Sequence, residues 1–391
     1  DEYARLCEDP RSLSDNLWVQ LVPMPLLFDL EADIASILDQ APDGSDLSFR
    51  WQVLKGHLKA TQLVVSATEI VFRPITPPTG MHAPFNDANQ RLYMSATLGR
   101  GGELERLSGR KSILRLPSPS GWDGHGVGRR FFMFPNSSLT ETESDDFLVK
   151  LIDQTDPSRA LILTSDERSA QGARDALDTG LPEHSLYSAG EIEESKAPFV
   201  TDDKAVAIIA NRYDGIDFPD DECRLLVVGG KPSGMSLLER YLTEKLGARA
   251  LFAERTRTRI IQAFGRCTRS AKDYAIVCIA GHGLMDDLLR NEWRTGLDRE
   301  LQAELKFGET QSRGQSADDL LELADLFLEQ GDDWRNAEDE ILTLKDDLEE
   351  ARPSALSELE ASAKHEIKYV DALWREDYEN ALDAAHEVIE A

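Results

Sequence analysis

Gln262, Arg266 and Arg269 fall within one short stretch, RIIQAFGRCTRSAKD, from Arg259 to Asp273. On a helix these positions recur at i, i+4 and i+7, which sets all three side chains on one face. Two guanidiniums and an amide sharing a face form an acceptor-seeking claw, suited to gripping a phosphate from the side. An amphipathic surface helix with solvated arginines would satisfy the same pattern. A second candidate lies upstream, in ANRYDGIDFPDDECRLLVVGG, where Asp214-Gly215-Ile216-Asp217 follows the apolar run AVAIIA. Gly215 permits tight backbone geometry there, and Asp217 would set a carboxylate at the strand's carboxyl end. A plain β-turn between two core strands is the other reading. The third candidate is RLYMSATLG, read as a strand over Leu92 to Met94 that runs into Ser95, Ala96 and Thr97. Small hydroxylated residues after a strand suit the carboxyl edge of a parallel sheet, where ligands usually sit. The same tripeptide at Ser66 to Thr68 shows how cheaply it arises.

These residues need a frame, and the pattern between them supplies one. SILRL, FFMFP, ALILTS, SLYSA, AVAIIA, RLLVVGG and YAIVCIAG read as strands. Amphipathic helices are expected between them, over Glu141 to Gln154, from Glu167 with Asp166 as its cap, over Leu237 to Leu246 and over Leu251 to Arg266. Repeated strand–helix units of this length predict a doubly wound, three-layer α/β domain around a parallel sheet. Before it, LVVSAT and EIVFRPI read as short strands, and helical spacing covers the opening, Asp29 to Gln40 and Asp46 to Ala60. After it the chain is helical and acidic, over Ala317 to Glu329, Trp334 to Glu350 and Ser354 to Glu390. The expected division is therefore 1–110, 111–305 and 306–391.

The 391 residues carry a formal net charge of −29, which argues against adhesion to nucleic acid over the whole surface. The charge is uneven: residues 308–391 hold 25 acidic and 7 basic side chains, so basic residues of the earlier part cluster locally. No apolar run approaches a membrane span. The four cysteines lack CxxC spacing and the seven histidines lack close ligand spacing, so no metal site is read. A reducing, cytoplasmic location is the expectation.

Taken together the motifs resemble the C-terminal motor half of superfamily 2 helicases, in the XPD/DinG-like branch. SATLG (Ser95 to Gly99) looks like motif III, ALILTS (Ala160 to Ser165) like motif IV, DGIDFPD (Asp214 to Asp220) like motif V, and QAFGRCTRSAKDY (Gln262 to Tyr274) like motif VI. The resemblance spans roughly residues 90 to 285, and implies a second RecA-like domain over 111–305 and a remnant of the first over 1–110. It implies roles for the matching positions. Arg266 and Arg269 would be arginine fingers on the γ-phosphate of ATP. Gln262, Gly215 and Asp217 would serve the nucleotide, and Gly215 and Asp217 would also couple it to the nucleic-acid track. Ser95 and Thr97 would pass hydrolysis to domain movement, and Thr164 and Ser165 would lie near the nucleic-acid backbone. Asp214 stands where Glu is usual, and Asp220 where Gly is common.

No G-x-x-x-x-G-K-[ST] phosphate loop occurs in the chain, GRKS at Gly109 to Ser112 lacking the glycine before it, and no acidic box for Mg²⁺ is read. The four-cysteine iron–sulfur signature is also missing from the sequence. ATP and Mg²⁺ are thus expected to be held mainly by an upstream RecA-like domain, or by a partner chain that carries one. The resulting expectation is an ATP-dependent helicase or translocase on single-stranded or forked DNA, with RNA not set aside. In it this chain supplies the fingers and is inactive alone. A non-catalytic nucleic-acid or protein binding module that keeps the fold is the alternative. The acidic extension reads either as solvated helices packed on the motor, or as an arm for a protein partner or a guard over the nucleic-acid cleft.

Overall fold

The computed structural model describes residues 18–95, 98–116, 128–213, 215–232, 236–351 and 354–391. Contacts gather them into two compact units: one takes in residues up to 115 with 235–255 and 354–391, the other 116–234 with 256–353. The helices of the expected acidic extension are shared out accordingly, 306–351 to the second unit and 354–391 to the first.

In the first unit β1 (Val19–Leu21), β2 (Thr61–Ser66) and β3 (Ile70–Pro74) form an antiparallel sheet in the order β1-β2-β3. Trp18, Val22, Leu27, Leu63 and Val65 fill one face, while Val19 and Val64 meet Leu237 and Leu238 on the other. The C-terminal segment is a helical hairpin, Ser354–Trp374 and Tyr378–Glu390, reversed where Glu376 adopts a positive φ of 58°. Buried Arg106 ties the helix Glu103–Ser108 to it, donating to Glu366 and to the Leu359 carbonyl at 2.6 Å.

The second unit is built on six parallel strands: β4 (Arg129–Met133), β5 (Ser158–Thr164), β6 (Ser185–Ser188), β7 (Lys204–Ala210), β8 (Leu225–Val228) and β9 (Tyr274–Ile279). Their order across the sheet is β4-β9-β8-β5-β7-β6. All seven residues of β5 are buried, as both faces of a parallel sheet require. In β9 the pleat sends Ala275, Val277 and Ile279 to one core and Ile276 and Cys278 to the other. Helices cover both faces. α1 (Glu141–Gln154) starts in a capping box of Thr140 and Glu143, and α2 (Glu167–Gly180) on the Asp166 carboxylate, which accepts from Ser169 N–H at 2.8 Å. The part of α3 (Arg249–Phe264) from Thr256 onward covers the opposite face, where Ile260, Ala263 and Phe264 are buried.

α4 (Arg299–Ser312), α5 (Ala317–Glu329) and α6 (Asp332–Asp346) complete the unit. Their Phe307, Phe327, Trp334 and Ile341 share one core with Phe131 and Ile276 of the sheet. Gly308 lets α4 lie directly on β4, since a Cβ there would sit 2.2 Å from the Phe132 carbonyl oxygen. Arg129 and Arg130 meet the fully buried carboxylate of Glu304 on α4, at 3.1 and 2.8 Å.

The doubly wound parallel sheet expected from sequence is present. Two expected strands are not: Leu92 to Met94 and Ser112 to Leu116 join no ladder among the described residues. Leu92, Met94, Leu114 and Leu116 are exposed. An apolar run becomes a strand only where a neighbour accepts its backbone hydrogen bonds. No helix among the described residues is long and apolar enough to cross a membrane.

Candidate functional site

The claw read from the sequence does not form on one helical face. α3 ends at Phe264, and the next N–H groups close short turns, Gly265 to the Gln262 carbonyl at 3.2 Å and Arg266 to the Ala263 carbonyl at 3.0 Å. Beyond that break Arg266 turns inward and Arg269 outward: Arg266 is 4% exposed, whereas the Arg269 side chain is 44% exposed. Gln262 stays on the last turn of α3, half-buried.

Arg266 holds the loop that follows β7. Its Nε donates to the Tyr213 carbonyl at 3.2 Å, one terminal nitrogen to the Ile216 carbonyl, and the other to the Arg212 carbonyl at 3.4 Å. The Phe218 N–H returns a bond to the Arg266 carbonyl at 2.9 Å. Gly215 is required where it stands: its φ is +126°, and a Cβ would lie 3.5 Å from the Arg266 guanidinium. The guanidinium thus replaces the ladder bonds that this irregular segment cannot make for itself. Asp214 lies outside the described residues.

Asp217 pairs with Arg269, and its carbonyl accepts from Lys196 Nζ at 3.1 Å. Arg269 precedes β9 and Lys196 precedes β7. By Asp217 the connection has therefore left the carboxyl end of β7, contrary to the position expected from sequence. The described residues among the 14 between β7 and β8 form no α-helix, so the chain must run back along the sheet before β8 can start parallel to β7.

One buried carboxylate joins the two motifs. Asp273 Oδ2 accepts from Arg269 N–H at 3.0 Å and from Asp220 N–H at 3.1 Å. Its Oδ1 accepts from Tyr274 N–H at 2.9 Å and from the Arg224 guanidinium, which lies 3.9 Å over the Tyr274 ring. Asp220 has a φ of +54°, the left-handed region that explains why glycine is usual at that position of the motif. Sequence reading marked Asp273 only as part of the motif's ending. A lone Asp after a basic helix gives no sign that four donors converge on it.

Thr164 ends β5 at the carboxyl edge, and Ser165 follows it. The Thr164 carbonyl accepts from Asn211 N–H at 2.8 Å, and Ser165 Oγ donates to Asp166 at 3.0 Å. Tyr213, fully buried, donates its hydroxyl to the Gly230 carbonyl at 2.8 Å, and burial pushes that hydroxyl's pKa upward. Arg259 bonds the Asn211 carbonyl at 3.2 Å. The edge and the Arg266 loop are thereby continuous through residues 211–216, with Asp214 left out of the description. Ser95 belongs to the first unit, and Thr97 lies outside the described residues. Among the described residues no group of three or more His, Cys, Asp or Glu side chains is gathered as a metal site would need.

What the second unit presents is a parallel sheet whose motif loops are bonded into one piece, with a paired but accessible guanidinium at the surface. Residues 191–296 match the family described as helicase C-terminal domain. The chain carries a helicase C-terminal domain there. Among solved structures it is similar to one titled as an XPD helicase, at 18% identity over 70% of this chain and 54% of that one, with a TM-score of 0.43. It is also similar to an apo XPD, at 17% identity, 69% and 59% coverage and a TM-score of 0.45. A third is Xpd4 of S. tokodaii, at 17% identity, with the same coverages and a TM-score of 0.37. The chain thus spans 54 to 59% of the length of these three solved chains. No curated protein matches it.

Proposed function

We propose that this chain supplies the arginine-bearing half of an ATP-hydrolysing helicase or translocase acting on nucleic acid, DNA in the first instance. ATP and its Mg²⁺ would be held mainly by a phosphate loop on another RecA-like domain. The observation that carries the reading is the Asp217–Arg269 pair. It presents an exposed guanidinium on a backbone fixed by Asp273, ready to exchange one anionic partner for another. A γ-phosphate offers more charge and more acceptor oxygens than the Asp217 carboxylate, so the exchange is favourable where water is excluded. Arg266 has a different task in this reading. It shapes the loop through three carbonyls, and Arg269 is the group poised to meet phosphate. Thr164 and Ser165, at the carboxyl edge of β5, would lie on the nucleic-acid side, where phosphate contacts would make binding salt-dependent.

The test is ATP turnover, with and without single-stranded DNA, by this chain and by the longest natural chain that contains it. The chain as given should be silent, and the longer one stimulated by DNA. In the longer one Arg269→Ala should cut turnover by roughly a hundredfold and leave the melting temperature unchanged. Turnover near that of the unaltered protein would remove Arg269 from the reaction. A longer chain without turnover would point to a binding module that keeps the fold without the chemistry.

A further inference from the structure

α1 and α2 lie side by side on one face of the sheet, yet they do not close over it. They touch where a Cβ at Gly180 would come 2.9 Å from Val149. Elsewhere they leave a cleft of about 570 Å³, reaching Thr164, Gly229 and Ala280 at the carboxyl ends of β5, β8 and β9. Its lining includes Val149, Ile162 and Val227, aliphatic residues of the kind that fill the rest of this core. A volume of that size is ample for several side chains of an incoming segment.

Two further observations say what would enter. Gly172 stands inside the 14-residue α2, where glycine weakens a helix relative to alanine, and nothing lies within 4 Å of the Cβ it lacks. No contact among the described residues of this unit calls for a glycine there, whereas a second backbone laid into the cleft would. The charged side chains in the lining are Asp145 and Asp146, and none is basic. Burial, with Glu141 and Asp146 nearby, raises the pKa of Asp145.

We propose that the α1–α2 cleft is a docking groove for an amphipathic helix of a partner protein, one with small apolar residues on the buried stripe and lysine or arginine beside it. The small side chains of α2 admit the helix backbone, the aliphatic floor takes its apolar stripe, and Asp145 and Asp146 meet its cations. The groove reaches Thr164, assigned above to the nucleic-acid side, but its test uses no nucleotide or nucleic acid.

The full chain is titrated with a panel of fluorescein-labelled helical peptides of alanine, leucine and lysine, whose apolar stripes vary in width. The same stripes flanked by glutamate serve as controls. The lysine peptides should bind at least about tenfold more tightly than their glutamate counterparts. Gly172→Leu and, separately, Ala176→Leu should each weaken binding by about tenfold or more while circular dichroism and melting temperature are kept. Asp145→Asn with Asp146→Asn should weaken it and flatten its salt dependence. The proposal falls if no lysine peptide binds. It also falls if the two leucine variants bind as the unaltered chain does, which would reduce the effect to the pull of an acidic surface. Self-association that Gly172→Leu abolishes would make the occupant a second copy of this chain and overturn the proposal as well.

Discussion

At the scale of single residues, the chemistry depends on which way each charged group faces. Arg266 and Arg269 are three positions apart and alike in type, yet one is spent on backbone carbonyls and the other reaches the surface. The same reasoning applies to His184. Its Nε2 lies 2.7 Å from Ser158 Oγ, and that hydroxyl donates to the Ile152 carbonyl at 2.6 Å, so Nε2 carries the proton. Nδ1 is buried and finds no partner among the described residues. Burial therefore holds the imidazole below its ordinary pKa, with Lys204 acting in the same sense and Asp153, Asp202 and Glu183 opposing. A base whose folded pKa is depressed stabilises the fold fully above its unfolded value, about 6.5. That contribution is lost as pH falls below this value toward the folded pKa. The gap in melting temperature between the unaltered chain and His184→Gln should therefore narrow as pH drops from about 7.5 to about 5.5. A gap that stays constant over that range would show that protonation of His184 does not load the fold.

At the scale of elements, the clasp made by Arg266 is open to direct measurement. Without it, three carbonyls of residues 212–216 lose their donor, at a cost of about 1–3 kcal/mol for a buried acceptor left bare. Arg266→Gln should make the chain markedly easier for trypsin to cut after Arg212, whereas Arg269→Gln should be cut at the ordinary rate. Equal cutting of the two variants would mean that the loop keeps its shape without the clasp. Much of this architecture was legible in advance. β5, β7, β8 and β9 are continuous apolar runs because a parallel sheet buries both faces, and the caps at Asp166 and Thr140 begin their helices where sequence places them. Leu92 to Met94 and Ser112 to Leu116 read the same way, since apolar composition is visible and a ladder partner is not. α4 escaped notice for the opposite reason. Its buried face holds Gln302, Glu304 and Gly308, which look like solvent-facing residues until Arg129, Arg130 and the backbone of Phe132 are set against them. The course of the chain after Phe264 was likewise hidden, because i, i+4, i+7 spacing assumes a helix that Gly265 and Asp273 bring to an end.

At the scale of the whole molecule, the acidic C-terminal segment is structural in one part and separate in another. Residues 306–351 roof the parallel sheet, and 354–391 form a hairpin of the first unit. Gly308→Ala is a sharp probe of the roof, because the added methyl would sit 2.2 Å from the Phe132 carbonyl oxygen and 2.9 Å from the Phe132 Cβ. Several kcal/mol of stability should be lost, on the order of an overpacked core site. Denaturant unfolding measures it, and a loss below about 0.5 kcal/mol would show that α4 does not rest on β4. The same close approach bears on descent. A helix whose backbone touches a strand's backbone cannot be exchanged for an unrelated helix, nor dropped from a gene while the strand is kept. β4 and α4 must therefore be inherited together, and any recombination that keeps this contact has to leave the pair on one chain.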